Sequence, residues 1–260
     1  NVGYGGTPSA PPLASAPGVN PSVVQGPRGS RPGLTAPAQQ GPVSTTKRTN
    51  EQALLLRSAR TAITLKQIDE ASDLFESYLI QVPNDHEIRT EYAGVLVQKG
   101  LLNKARDLYL NTLQVLPRST DIRHKLVDVL IMSGEYSAAT IQLENIIELD
   151  PDDLAAAAML CRSYSWVKDL ERAKMVFDRY LRKLDPTKQY DQTLLAPALL
   201  DMQKPREALP YLLKLHTKSP NELEWATSLV YCYELLGDEE KATRAVIAMA
   251  TLEPTVTDSR

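Results

Sequence analysis

Between Asn50 and Thr251 apolar side chains recur three and four residues apart, the spacing that gives a helix one apolar stripe. The stripes are cut at even intervals by proline. Ala71, Phe75 and Pro83 stand four and then eight residues apart, and the shape returns five times. Ala105, Tyr109 and Pro117 are followed by Ala139, Leu143 and Pro151, then by Ala173, Phe177 and Pro186, by Ala208, Leu212 and Pro220, and by Ala242, Val246 and Pro254. The alanines are separated by 34, 34, 34, 35 and 34 residues. A fixed period in this range predicts stacked units that share one continuous core.

Each repeated residue has a physical reason. Two antiparallel helices joined by a short turn approach closely where one side chain is small, and the residue four places on fills the space beside it. The proline stops the second helix and directs the chain into the next unit. Matching stripes mark the first helices: Tyr92, Ala93 and Leu96; Leu126, Val127 and Leu130; Leu160, Cys161 and Tyr164; Leu229, Val230 and Tyr233. Gly100, Gly134 and Gly237 fall between the two helices of a unit, where a left-handed residue is required.

From Gln52 to Pro254 this pattern resembles the tetratricopeptide repeat family, whose units run Trp, Leu, Gly, Tyr and then Ala, Phe, Pro. The first-helix Trp is absent throughout, replaced by Leu55, Arg89, Arg123, Ala157, Gln192 and Ala226. The resemblance implies an all-α, right-handed α-solenoid of about six helical hairpins over residues 49–254, in units near 52–85, 86–119, 120–153, 154–188, 189–222 and 223–256, followed by a short tail over 255–260. Helix caps are expected at Asn50, Asn84-Asp85, Ser119 to Asp121, Asp150 to Asp152 and Asp169, with Lys168 in the fourth turn where others have glycine. The fifth unit is irregular. An extra residue is expected near Asp185-Pro186, and Pro197 and Pro210 fall inside its helices, which reads as a bend or as a degenerate repeat.

Composition changes the picture mainly at the N-terminus. Residues 1–48 hold nine of the 18 prolines and eight of the 12 glycines, with Tyr4 the one aromatic. Such a stretch cannot bury enough apolar surface to offset its ordering entropy, so it is expected to be a disordered tether. It carries Arg28, Arg31, Lys47 and Arg48 and no acid, so a net charge of -3 for the chain leaves -7 on the repeats. An acidic repeat domain is a poor nucleic-acid binder, so no nucleic-acid partner is expected. No run approaches the eighteen or so apolar residues that cross a bilayer, so membrane association is expected only through an anchor upstream of Asn1.

No catalytic constellation is present. His86, His124 and His216 lie in different units, neither Cys161 nor Cys232 has a partner at metal-binding spacing, and no phosphate loop occurs. Neither a cofactor nor a metal is therefore expected, and the chain is read as a non-enzyme. The resemblance implies that first helices line a concave groove that holds another protein or peptide segment. By register the groove positions are Arg60, Glu87, Thr90, Asp121, His124, Asp128, Arg162, Tyr190, Glu224 and Tyr231. Glu87, Asp121 and Asp128 are expected to meet in one acidic patch that favours a basic or neutral segment. Members that grip a C-terminal carboxylate use Lys, Asn and Arg; the corresponding Leu56, Arg60, Glu91, Asp121 and Lys125 do not form that clamp. The functional expectation is a scaffold or adaptor, with assembly of a bacterial envelope machine in the periplasm or at the outer membrane as the narrower form; the alternatives are a cytosolic adaptor or substrate chaperone, or an accessory domain of a larger enzyme.

Replacing Ala139 by Leu puts a large side chain at the closest helix approach of the third unit. We expect about 1 to 3 kcal/mol of destabilisation from overpacking, read from the urea midpoint; an unchanged midpoint would mean the register is wrong.

Overall fold

The structure, a computed structural model, describes residues 48–250, with only the backbone of Ala250. The expected tether over 1–47 and the tail after Ala250 lie outside the described residues. Within these, twelve α-helices pair into six hairpins and no strand occurs: α1 (Asn50–Thr64) with α2 (Ile68–Gln81), α3 (His86–Gln98) with α4 (Leu102–Val115), α5 (Thr120–Met132) with α6 (Tyr136–Leu149), α7 (Leu154–Trp166) with α8 (Leu170–Val176), α9 (Gln189–Asp201) with α10 (Pro205–Lys218), and α11 (Leu223–Leu236) with α12 (Glu239–Ala250). Two compact units are distinguished, one ending at Arg182 and the other beginning at Lys183. In the first, each helix from α1 to α8 packs on the next. In the second, α9 to α12 do the same. The fold is an α-solenoid.

The repeated residues form the core. Ala71, Ala105, Ala139, Ala173 and Ala208 are fully buried, as are Phe75 and Leu212. Around the first turn Leu56, Ala59, Phe75, Tyr78, Ile88 and Val95 make one cluster. Where α3 and α5 carry Tyr92, Leu126, Val95 and Val129, α1 carries Ser58 and Thr61, with Leu54 and Leu65 exposed beside them. Both cysteines are buried thiols; that of Cys161 donates across its hairpin to the Ala173 carbonyl, 3.3 Å away.

Three details differ from the sequence reading. The cap of α1 is Thr49, not Asn50: its hydroxyl accepts from the Gln52 amide at 3.2 Å while the Gln52 side chain accepts from the Thr49 amide at 2.9 Å, a reciprocal box that leaves Asn50 as the first helical residue. The cap of α7 is Asp153, one residue beyond the expected stretch, with its carboxylate accepting from the Ala156 amide at 2.8 Å. The extra residue of the 35-residue step sits earlier than expected. A π turn, Phe177–Leu181, follows α8, and the Arg182 amide reaches back five residues to the Phe177 carbonyl. The second helices α2, α4, α6 and α10 close instead with bonds to the residue four back, as Val82 does to Tyr78. The insertion is thus absorbed inside the helix. Helices α9 and α10 run on through Pro197 and Pro210.

The positions that lack tryptophan have a role of their own. Arg89 donates to the Pro83 carbonyl, Arg123 to that of Pro117 at 2.6 Å, and Gln192 to that of Pro186 at 2.8 Å. The same column in three units therefore satisfies the carbonyl exposed where the chain crosses from one hairpin to the next. Arg48, at the end of the expected tether, is held in place as well: it donates to Tyr78 Oη at 3.1 Å and to Asp85 Oδ2 at 3.0 Å, and Tyr78 itself donates to Asp85 at 2.6 Å.

Every hairpin turn has one residue with positive φ. It is glycine at Gly100, Gly134 and Gly237, but Lys66, Lys168 and Gln203 take the same place in the other three, with φ of 60°, 64° and 61°. A side chain there costs about 1 to 2 kcal/mol. We expect Lys168→Gly to raise the urea midpoint by an equivalent of about 1 kcal/mol and Gly134→Ala, which meets no steric obstacle, to lower it by a similar amount.

Candidate functional site

The face carried by the first helices is built from columns one repeat period apart. One column reads Glu87, Asp121 and Ala155 on α3, α5 and α7. The other reads Arg60, Gly94, Asp128 and Arg162 on α1, α3, α5 and α7.

The three expected acids have different surroundings. Glu87, exposed, belongs to the start of the stack, where Arg48 approaches it at 3.4 Å. Arg60 forks onto the Glu91 carboxylate with contacts of 2.9 and 2.6 Å, an exposed pair worth less than about 1 kcal/mol. Thr90 turns its hydroxyl back to the His86 carbonyl of its own helix at 2.9 Å. Asp121 is exposed and held by Lys125, one turn on, at 2.9 Å.

His124 and Asp128 form the centre. His124 Nε2 lies 2.8 Å from Asp153 Oδ2, so the ring of α5 is tied to the cap of α7. That bond, with the nearby charges of Asp153, Asp128 and Asp121, outweighs burial and raises the His124 pKa. Burial works against ionisation of Asp153, but its bonds to His124 and to the Ala156 amide hold its pKa down. Asp128 is different. It is half-buried, has no hydrogen bond or ion pair among the described residues, and burial pushes its carboxyl up to about 6, opposed by the charge of His124. From α4, Tyr109 comes close enough for burial and the charges of Asp128 and Asp121 to raise its phenol pKa. One period on, the Arg162 guanidinium lies 5.0 Å from the centre of the Trp166 ring, which in turn packs on Tyr136 at 5.0 Å. Asp121 and Asp128 therefore both act on His124.

In the second unit Tyr190 is 59% exposed, Glu224 is half-buried, and Tyr231 accepts from the Gln203 amide at 3.3 Å. Sequence reading missed Gly94, Tyr109 and Asp153. The signals were a glycine in mid-helix rather than in a turn, and a hydroxyl in a column otherwise filled by Phe75, Leu143, Phe177, Leu212 and Val246. Among the described residues no three His, Cys, Asp or Glu side chains are arranged to hold a metal ion.

The fold is that of solved tetratricopeptide repeat proteins. A tetratricopeptide repeat protein from Parabacteroides merdae superposes with a TM-score of 0.66 over 80% of this chain and 82% of its own, at 15% identity. MamA from Desulfovibrio magneticus gives 0.55 over 65% and 95%, at 18% identity. The C-terminal part of a tetratricopeptide repeat-containing protein from Cytophaga hutchinsonii gives 0.52 over 81% and 87%, at 21% identity. No protein-family profile and no curated protein matches the sequence.

A carboxyl whose pKa is raised on folding binds its proton more tightly in the folded state. Stability is then lost as pH rises from the unperturbed value near 3.8 through about 6. We expect Asp128→Asn to be more stable than the parent at pH 8, by on the order of 1 to 3 kcal/mol, and close to it at pH 4, in urea titrations at the two pH values.

Proposed function

We propose that this chain is a non-enzymatic scaffold that holds a segment of another protein along the face of its first helices. The observation that carries the reading is a contrast between columns. The buried column is alanine in every unit, because the helix contact demands it. The first-helix columns change from unit to unit, as Glu, Asp, Ala and as Arg, Gly, Asp, Arg, and so are released from the packing constraint. They also contain Asp128, a carboxylate kept half-buried without a partner. Cores do not need such a group, and binding surfaces do. The narrower reading, assembly of a bacterial envelope machine such as a secretion, pilus or polysaccharide-export system, is supported by the Pro/Gly-rich segment ahead of the repeats and by analogy of fold with bacterial proteins.

The test is site-specific photocrosslinking. We expect p-benzoylphenylalanine at Thr90 or Arg162 to capture one defined protein in cells expressing the full chain, and the same group at the exposed Asn103 or Glu148 of the second helices not to. Capture from the second helices alone would move the binding face and overturn the reading.

A further inference from the structure

Among the repeats, the meeting of α3, α4 and α5 has no counterpart. Tyr109 occupies the core column that is filled elsewhere by Phe75, Leu143, Phe177, Leu212 and Val246, none of which brings a polar atom. Its ring is 3% exposed, and its hydroxyl has no hydrogen-bond partner among the described residues, yet is not sealed from solvent. Burying a phenol oxygen without a partner costs more than a phenylalanine in the same place. The oxygen points at Gly94. A Cβ built on Gly94 would stand 3.9 Å from Tyr109 Oη and, its neighbours in the chain and its own helix backbone aside, within 4 Å of no other described atom. Glycine in mid-helix destabilises relative to alanine, and no contact outside its own helix requires it here. Gly94 is itself half-buried, and no side chain of its own stands over the phenol. One repeat period on, in the same column, stands Asp128, the second unpartnered polar group. Its charge and that of Asp121 are both felt at the Tyr109 phenol. Lys125 is engaged by Asp121 at 2.9 Å, and His124 by Asp153 at 2.8 Å, so the neighbouring cations are turned to other carboxylates.

We propose that Gly94, Tyr109 and Asp128 form a notch that takes the basic side chain of a lysine or arginine projecting from a bound polypeptide. The Asp128 carboxylate meets the charge, and Tyr109 Oη accepts a hydrogen bond from the same ammonium or guanidinium group. Gly94 provides the passage for the aliphatic stem. Three features that each weaken the fold then have one explanation: a helical glycine, an unpaired phenol and a half-buried carboxylate. The proposal rests on the scaffold reading above for the source of the side chain, but the notch itself is tested without a partner.

The probes are N-acetyl-arginine amide and N-acetyl-lysine amide, titrated into the isotope-labelled full chain with N-acetyl-citrulline amide as the uncharged control. We expect saturable shifts in the Gly94, Tyr109 and Asp128 signals with the two cations and none with citrulline. Asp128→Asn should weaken the response by about tenfold or more, although the variant is the more stable protein at neutral pH, which separates loss of the site from loss of the fold. Gly94→Leu should block it, and Gly94→Ala, which adds one methyl in ordinary contact with the phenol, should reduce it. Equal shifts with citrulline, or shifts elsewhere, would overturn the notch while leaving the crosslinking test of the scaffold untouched. If Arg28→Ala with Arg31→Ala alters the same signals in the protein without probe, the chain's own arginines fill the notch and the assignment to a partner is wrong.

Discussion

Two helices of a hairpin come together where the second carries an alanine, and the contact at Ala71, Ala105, Ala139, Ala173 and Ala208 leaves no surface exposed. The close approach has consequences on both sides. It brings the Cys161 thiol within 3.3 Å of the Ala173 carbonyl, and it places the residue four positions on, such as Phe75 or Leu143, between its own hairpin and the next. Dispersion and burial then accumulate along the stack, because each such side chain belongs to two hairpins at once. Since the contact fixes where second helices lie, the outward side chains of the first helices are left without a packing duty. That division of labour lets one face vary while the other repeats.

The repeat, the hairpins, the core columns and four of the six turn residues, Lys168 among them, were legible in the sequence, because most rest on a side chain whose size or backbone freedom is decisive. Ala139 and Gly134 are examples. What was not legible depends on pairs of residues from different units. Asp153 caps α7 one residue beyond the stretch read for it, and nothing in its neighbourhood announces His124. Arg89, Arg123 and Gln192 read as failures to match tryptophan, whereas each supplies a donor to a proline carbonyl six residues earlier. The acids of the face show the same limit. Register placed Glu87, Asp121 and Asp128 in nearby columns, but did not show that Arg48 approaches Glu87 while Lys125 holds Asp121. Lys66 and Gln203 were missed as turn residues because neither is a glycine, and only the backbone reveals the strain they carry.

The site and the fold pull in opposite directions at one place. Asp128 disfavours folding once it is ionised, and Gly94 and Tyr109 give up helix propensity and a hydrogen bond. Other charges of the region are paired: Lys125 with Asp121, His124 with Asp153, Arg60 with Glu91. Locally unfavourable residues surrounded by satisfied ones are what a binding surface leaves in a protein that must also fold.

The π turn at Phe177–Leu181 bears on how such a chain tolerates change in length. One added residue in an α-helix rotates all that follows by about 100°. Here Phe177 stays at 8% exposure and Leu181 at 0%, so both ends of the widened turn still face the core. The rotation is cancelled within the segment that contains the insertion. Unit length in this protein is therefore not a count that each copy must keep. It is set by where the interior contacts fall, and a copy one residue longer still turns both ends of the widened segment inward.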